Sequence, residues 1–258
     1  MRVDGRHVLV TGASHGIGAE LAGELHRRGA LVTVLGRDPA RLAAVAGPIR
    51  AAPVRADLTD PADVDTVIAR AEVGHGPVDV LVNNAGLALV AGTAHTERGQ
   101  AQTLMAVNAI APMELCRQVL PGMVARGLGQ LVNVSSLAGV SAVPDMPLYG
   151  ASKAALHHYT SVAQRDLRGS GVTVTLVTLG EVAGTAMMEQ ARQSPTIGAV
   201  SRRLSRLMPV LTPPVVAAAL ADAIERGAPV VTIPRRLAPV IALRNLPSTL
   251  QDFAFGQT

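Results

Sequence analysis

Residues 7–18 read HVLVTGASHGIG, a short aliphatic run that ends in a loop of three glycines. The run HVLVT (7–11), closed by a turn, reads as a strand buried on both faces. Directly behind it, Thr11-Gly12-Ala13-Ser14-His15-Gly16-Ile17-Gly18 opens the helical stretch GIGAELAGELHRR at 16–28, and LVTVL at 31–35 is a second strand. This succession brings a helix's unpaired N–H groups and positive end to a loop of bare backbone, where a pyrophosphate can approach. The spacing is G-x3-G-x-G rather than the commoner G-x-G-x-x-G. An ordinary glycine-rich turn is the competing reading, and the position immediately after an apolar strand favours phosphate binding.

The alternation continues outward. Asp38-Pro39 and Asp60-Pro61 open further helices, with aspartate as the cap and proline at the first helical position. APVRA (52–56), VDVLVN (78–83), QLVNVS (130–135), VTVTLV (172–177) and PVVTIP (229–234) read as strands. Helices are expected over 60–73, between 98 and 126, and from Tyr149 onward. The strands are continuous apolar runs, the pattern of a parallel sheet covered by helices on both faces. The expectation is an α/β fold, a doubly wound parallel sheet of Rossmann type, in one domain spanning 1–258. Ligands of such folds sit beyond the carboxyl ends of the strands, where the motifs of this chain fall.

Cofactor choice is read at the end of the second strand, about 20 residues past the glycine loop, where an acid would take the ribose 2′-hydroxyl of NAD and an arginine the 2′-phosphate of NADP. The sequence there is Leu35-Gly36-Arg37-Asp38. Gly36 stands where the acid would be, Arg37 follows, and Asp38 is accounted for as a cap. Arg28, Arg41 and His15 are nearby. NADP is expected ahead of NAD, and a solvated loop charge is the plainer account of Arg37.

Composition narrows the function. The chain is 48% hydrophobic and 16% charged, enough for a large core. With no Trp, two Tyr and two Phe, it lacks the aromatics that stack on nucleic-acid bases, despite a pI near 10.2. Its one cysteine, Cys116, excludes an intrachain disulfide and reads as inert core packing. His157 and His158 are adjacent on a helix and point to different faces, so no shared metal site is expected. Charges through the first seven residues argue against a signal peptide, and no uncharged run of 18 apolar residues occurs. The expectation is a soluble, cytoplasmic protein.

Lys153 is the only lysine, against 22 arginines, and it follows Tyr149 by four positions in YGASKAALHHYTSVAQRDL. Lysine is a compact point charge whose pKa can move, and arginine is a permanently charged fork. Four residues apart on a helix, the phenol and the ammonium share a face. A neighbouring cation favours phenolate and would bring the phenol down from about 10 toward working pH. A chance surface pair explains the spacing equally well when it is taken alone.

Together these motifs resemble the short-chain dehydrogenase/reductase family in its classical subgroup, over residues of about 5 to 180. TGASHGIG matches the family's cofactor loop, with Gly12, Ser14, His15, Gly16, Ile17 and Gly18. Asp57-Leu58 matches the pair beside the adenine, and Asn83-Asn84-Ala85-Gly86 matches the segment that forms the cofactor floor. Asn108 in AVNAIAP, Ser136 in VNVSSLAG, Tyr149 and Lys153 match the catalytic tetrad, with Ser136 13 residues before Tyr149. The resemblance implies that Tyr149 passes a proton to or from a substrate oxygen. It implies that Lys153 lowers the tyrosine pKa and holds the nicotinamide ribose, that Ser136 bonds the substrate oxygen, and that Asn108 keeps a relay water in place. Gly180 and Val182 would contact the nicotinamide. One departure stands out: Thr178-Leu179-Gly180-Glu181-Val182-Ala183-Gly184-Thr185 has Leu179 for the family's proline, and its threonine arrives one position late.

Residues 181–212 match the family's substrate-covering segment, with Met187, Met188, Leu204, Leu207 and Met208 beside Arg192, Arg202, Arg203 and Arg206. They suit an adaptable apolar pocket for a lipophilic carbonyl or alcohol, or a packed amphipathic helix. The tail 234–258 mixes arginine with apolar residues and holds Phe253 and Phe255. It reads as subunit packing in a homodimer or homotetramer, ahead of peripheral membrane contact or reception of an acidic substrate group. The function expected is an NADP(H)-dependent oxidoreductase that interconverts a ketone or aldehyde with an alcohol. An NAD-dependent alcohol dehydrogenase and a non-catalytic dinucleotide sensor are the rivals.

Overall fold

The computed structural model describes residues 1–192, 194, 197–198, 211–238 and 241. Seven parallel strands form one sheet in the order β3-β2-β1-β4-β5-β6-β7. In chain order they are β1 His7–Thr11, β2 Leu31–Gly36, β3 Ala52–Arg55, β4 Val80–Asn83, β5 Gly129–Ser136, β6 Val172–Leu179 and β7 Val230–Ile233. The helices are α1 Gly16–Arg27, α2 Pro39–Ile49, α3 Pro61–His75, α4 Gln100–Met105, α5 Ala111–Arg126, α6 Pro147–Asp166, α7 Ala186–Ala191 and α8 Pro213–Arg226. Every residue of β1 and β4 is buried, because helices cover both faces. Leu21 and Leu25 of α1, Leu42 of α2 and Leu220 and Ile224 of α8 pack one face. Val67 of α3, Leu115 and Met123 of α5 and Ala163 of α6 pack the other.

The turn chemistry acts as its residue types dictate. Asp38 accepts hydrogen bonds from the amides of Ala40 and Arg41, at 2.9 and 3.1 Å, with Pro39 opening α2. Asp60 caps α3 in the same way through Ala62 N. Strand order reverses between β1, which pairs with β2 on one side, and β4 on the other. That switch point opens a crevice above the carboxyl ends of the strands.

Three details depart from the sequence expectations. The helix expected between 98 and 126 is interrupted by a π-helical segment, Ala106–Ile110, with Asn108 at its middle. Strand β6 runs to Leu179, two residues past the expected end, and pairs there with Ser136 and Ile233. A proline at 179 would have lost its ladder N–H, and leucine keeps it. Arg28 does not approach the crevice. It binds Glu24, Asp222 and Glu225 and ties α1 to α8. Residues 201–210, with the expected Leu204, Leu207, Met208, Arg202, Arg203 and Arg206, and the tail beyond 241, with Phe253 and Phe255, lie outside the described residues. Among the described residues no helix is long and apolar enough to cross a membrane.

Candidate functional site

A cleft of about 580 Å³ runs along the carboxyl edge of the sheet, from the β1–α1 loop to α7. The residues expected from the sequence to bind the cofactor or to act in catalysis line it, except Arg28, Asn83 and Asn108. At one end lies the glycine loop. Gly12 has φ +65°, and a Cβ placed there would stand 2.7 Å from Ala85 Cα, so this position requires glycine on both counts. The first turn of α1 has no side-chain cap and no acidic residue, so its amides are left as free donors toward the cleft. Such a helix end fits an anionic diphosphate.

The floor is fixed by a residue that the motif comparison passed over. Thr11, the last residue of β1, is buried; its Oγ1 donates to Val82 O at 3.3 Å and accepts from the amides of Asn84 and Ala85, each at 3.0 Å. Asn84 returns the contact, donating from Nδ2 to Thr11 O at 3.0 Å. The β4–α4 loop is thereby bolted to β1 across the switch point. The only forewarning in the sequence is a threonine at a strand end facing two asparagines.

Beside β2, Arg37 is 63% exposed and its guanidinium stands 4.0 Å from the Asp57 carboxylate. Asp57 accepts hydrogen bonds from the amide and hydroxyl of Thr59 at 2.9 and 2.8 Å. The Thr59 amide is the main reason the carboxyl is held below its ordinary pKa, aided by the Thr59 hydroxyl and Arg37 and opposed by burial. Ser14 Oγ and His15 Nδ1 are hydrogen-bonded at 3.1 Å. Arg37, Arg41 and His15 all line this end of the cleft, with Gly36 and Leu58 between them.

At the other end, α6 carries Tyr149 and Lys153 on one face, both buried, 7% and 4% exposed. Ser136 reaches Tyr149 because the turn Leu137–Gly139 lies directly against α6, where a Cβ on Gly139 would stand 2.8 Å from the backbone carbon of Lys153. Lys153 Nζ donates to Val134 O at 2.9 Å, and Ser135 Oγ donates to Lys153 O at 3.0 Å. Burial lowers the ammonium pKa from 10.5 to about 8. The phenol departs from the sequence expectation: burial pushes Tyr149 above 10, and the opposing influence is the Ser136 hydroxyl, not Lys153. Desolvation thus sets the direction of the shift.

Asn108 is buried and sits behind the cleft. Its Oδ1 accepts from Leu87 N at 2.8 Å, and its Nδ2 donates to Leu87 O at 2.8 Å and to Ser152 Oγ at 2.9 Å. Ser152 in turn donates to Tyr149 O at 2.8 Å. Both Nδ2 hydrogens and one acceptor site of Oδ1 are used in clamping the β4–α4 loop to the start of α6. Ser152, inside the YxxxK spacing, is a further member that the motif comparison did not single out.

The segment after β6 differs from the family pattern without losing its place. Gly180 N donates to Ile233 O at 2.8 Å, and Val182 bridges to Leu211. Thr185 caps α7, donating from Oγ1 to Val182 O at 2.9 Å and accepting from Met188 N at 3.3 Å. Met188, Ala191 and Ile197 then wall an apolar end of the cleft against Met146 and Tyr149.

Comparison with known proteins agrees with this geometry. The family model for short chain dehydrogenases matches residues 6–196. The ketoacyl reductase HetN of a Nostoc species is 35% identical over 203 residues, which are 76% of this chain and 71% of the relative. A short-chain dehydrogenase from Sphingobium yanoikuyae, solved in complex with NADPH, superposes with a TM-score of 0.80 at 28% identity, covering 96% of this chain and 95% of the other. A family member from Burkholderia phymatum, solved with NAD, shares the fold at a TM-score of 0.83 and 24% identity, covering 100% and 97%.

Proposed function

The chain belongs to the short chain dehydrogenase family, and on that premise we propose that it is an NADP(H)-dependent oxidoreductase interconverting a lipophilic ketone or aldehyde with the corresponding alcohol. The observation that carries this reading is the buried Tyr149 phenol, paired with Ser136 and followed one helical turn later by the chain's only lysine. The bound nicotinamide supplies or receives the hydride, and the protein supplies position and charge.

In the reducing direction Tyr149 Oη gives its proton to the substrate oxygen. Burial keeps the phenol protonated at neutral pH, which is the form an acid needs. The Ser136 hydroxyl donates to the same oxygen as negative charge develops. Lys153, held by Val134 O and cationic below about pH 8, stabilises the tyrosinate left behind. Asn108 and Ser152 hold the start of α6 in register with the cleft floor. The glycine loop and the free amides of α1 would bind the diphosphate, with Ile17 and Gly18 below it. Asn84, Ala85 and Gly86 would form the floor, and Gly180 and Val182 would face the nicotinamide.

NADP is favoured over NAD because Arg37, Arg41 and His15 line the cleft together with Gly36, and no acid occupies the end of β2. The NADPH complex of the Sphingobium neighbour supports the same choice, and the ketoacyl reductase relative supports a carbonyl substrate. The apolar lining of Met146, Met188, Ala191 and Ile197 supports a lipophilic one. We propose a cytoplasmic homodimer or homotetramer, supported by the exposed Val124 of α5 and Val162 of α6. Tyr149→Phe tests the catalytic assignment. It is expected to keep NADPH affinity and to lose roughly 10²- to 10⁴-fold in carbonyl turnover. Undiminished turnover removes Tyr149 from the reaction, and a wild-type protein that binds NADPH and reduces no carbonyl is the dinucleotide sensor instead.

A further inference from the structure

Asp145 stands out among the loops of the cleft. It is one of two described non-glycine residues with positive φ, at +59°. The left-handed region costs most side chains about 1 kcal/mol or more, and aspartate is among the few that visit it. The conformation turns Asp145 toward two other segments at once. Its carbonyl accepts from Ala91 N in the β4–α4 loop at 2.8 Å. Its carboxylate Oδ2 accepts from the Ser194 hydroxyl at 2.9 Å.

The residues beside this tie form the apolar end of the cleft. Met146, next in sequence to Asp145, lies in one buried cluster with Tyr149, Ala191 and Ile197. Ser194 organises the far side: its amide donates to Ala191 O at 3.1 Å, and its Oγ accepts from Ile197 N at 3.3 Å. One serine, through its hydroxyl and amide, therefore links Ala191 and Ile197 to the loop carrying Met146, beside the cluster that holds Tyr149. A further polar link, Arg192 Nε to Glu181 Oε1 at 2.9 Å, is more exposed and holds the α7 end to the chain after β6.

We propose that Asp145 is a specificity-determining residue of the substrate pocket, acting through Ser194 to hold Ala191 and Ile197 at a fixed distance from Met146 and Tyr149. This rests on the carbonyl-reductase reading of the same cleft. The residue touches neither substrate nor cofactor. It sets the width of the apolar slot and hence the affinity for carbonyl compounds, leaving the proton donor and the nucleotide end alone.

Two substitutions break the tie from opposite sides. Asp145→Gly keeps a residue at ease at positive φ and removes the carboxylate, and Ser194→Ala removes the hydroxyl. Asp145→Asn keeps an acceptor oxygen and tolerance of the left-handed region. For a medium-chain aliphatic ketone with NADPH, each breaking variant is expected to raise KM roughly tenfold, the effect of losing a hydrogen bond to a charged group. kcat and NADPH affinity stay near the wild-type values, the double variant is no worse than either single one, and Asp145→Asn recovers most of the affinity. Hydrogen exchange supplies a readout independent of turnover, with the amides of Ala191 and Ile197 exchanging faster in both breaking variants. Unchanged exchange and unchanged KM overturn the proposal, as does a strictly additive double variant. If wild-type protein reduces no ketone while exchange still responds to both substitutions, the tie stands and the carbonyl-reductase reading fails.

Discussion

Lys153→Met separates what the site costs from what it does. In the wild type the ammonium is buried, and its pKa falls from 10.5 to about 8. That fall corresponds to about 3 kcal/mol of stability lost, at any pH where the group is charged in both the folded and unfolded states. Methionine fills a similar length without charge. It also removes the hydrogen bond to Val134 O, which costs about 1 kcal/mol. The variant should therefore be more stable than wild type at pH 7 by about 2 kcal/mol, and carbonyl turnover should be lost. The pH dependence is the discriminating part. Between about pH 8 and 10.5 the unfolded lysine keeps its proton and the folded one releases it, so wild-type stability gains on the variant as pH rises. Cys116, raised to about 12 from 9, and Tyr159, raised by burial, act in the opposite sense over the upper part of this range, but equally in both proteins. Urea unfolding of the ligand-free proteins at pH 7, 8.5 and 10, read as the difference between them, isolates the lysine. A difference that stays constant with pH, or a variant less stable than wild type at pH 7, refutes the idea that the ammonium is held in the cleft at the expense of stability.

Three further expectations follow from particular contacts. Gly12→Ala forces an L side chain to φ +65° with its Cβ against Ala85, so the melting curve should show a loss of about 2 kcal/mol or more, together with loss of NADPH fluorescence enhancement. Arg37→Ala should weaken NADPH roughly tenfold in a fluorescence titration and leave NADH unchanged; equal weakening of both removes Arg37 from phosphate recognition. His7, buried at the opposite end of the sheet, donates from Nδ1 to Gly76 O at 2.7 Å and accepts from Thr33 Oγ1 at 2.9 Å. Burial lowers its pKa below 6.5, opposed chiefly by the hydrogen bond to Gly76 O and also by Asp79 and Glu72, with His75 adding to the lowering. Below pH 6.5 the unfolded chain therefore takes up more protons, and the urea midpoint should fall between pH 7 and 5.5, less steeply in His7→Gln.

The fold was legible because its signals are local. β1, the glycine loop and the Asp-Pro caps each follow from a few adjacent residues whose chemistry admits one arrangement, and the continuous apolar strands announce burial on both faces. The geometry of the glycine-loop end of the cleft was legible for the same reason: bare backbone at Gly12 and uncapped amides at Gly16 are properties of the segment itself. Arg28 was misplaced because proximity in sequence to β2 says nothing of which way the end of α1 faces, and three carboxylates, two of them on α8 nearly 200 residues later, decide it. Thr11, Ser152 and Asp145 were missed because each works through a partner brought in by topology.

The Tyr149–Lys153 pair shows where spacing stops being informative. Four residues on a helix fix a shared face, and both groups do share one. The sign of the phenol's shift depends instead on how much water the finished fold leaves around it. In this cleft burial raises the phenol and lowers the ammonium, so both groups are biased toward their neutral forms before any ligand arrives. A neutral phenol is ready to donate, and the ammonium gains most from its position at the moment the phenol becomes an anion, since an ion pair then replaces a lone buried charge. Under the proposed mechanism, the cost of holding Lys153 in the buried site would be relieved in the transition state. Interactions that strengthen as the reaction proceeds are the ones that raise kcat. On the proposed mechanism, the catalytic weight of Lys153 would fall on the charged intermediate state of Tyr149, not on the resting pKa of its phenol.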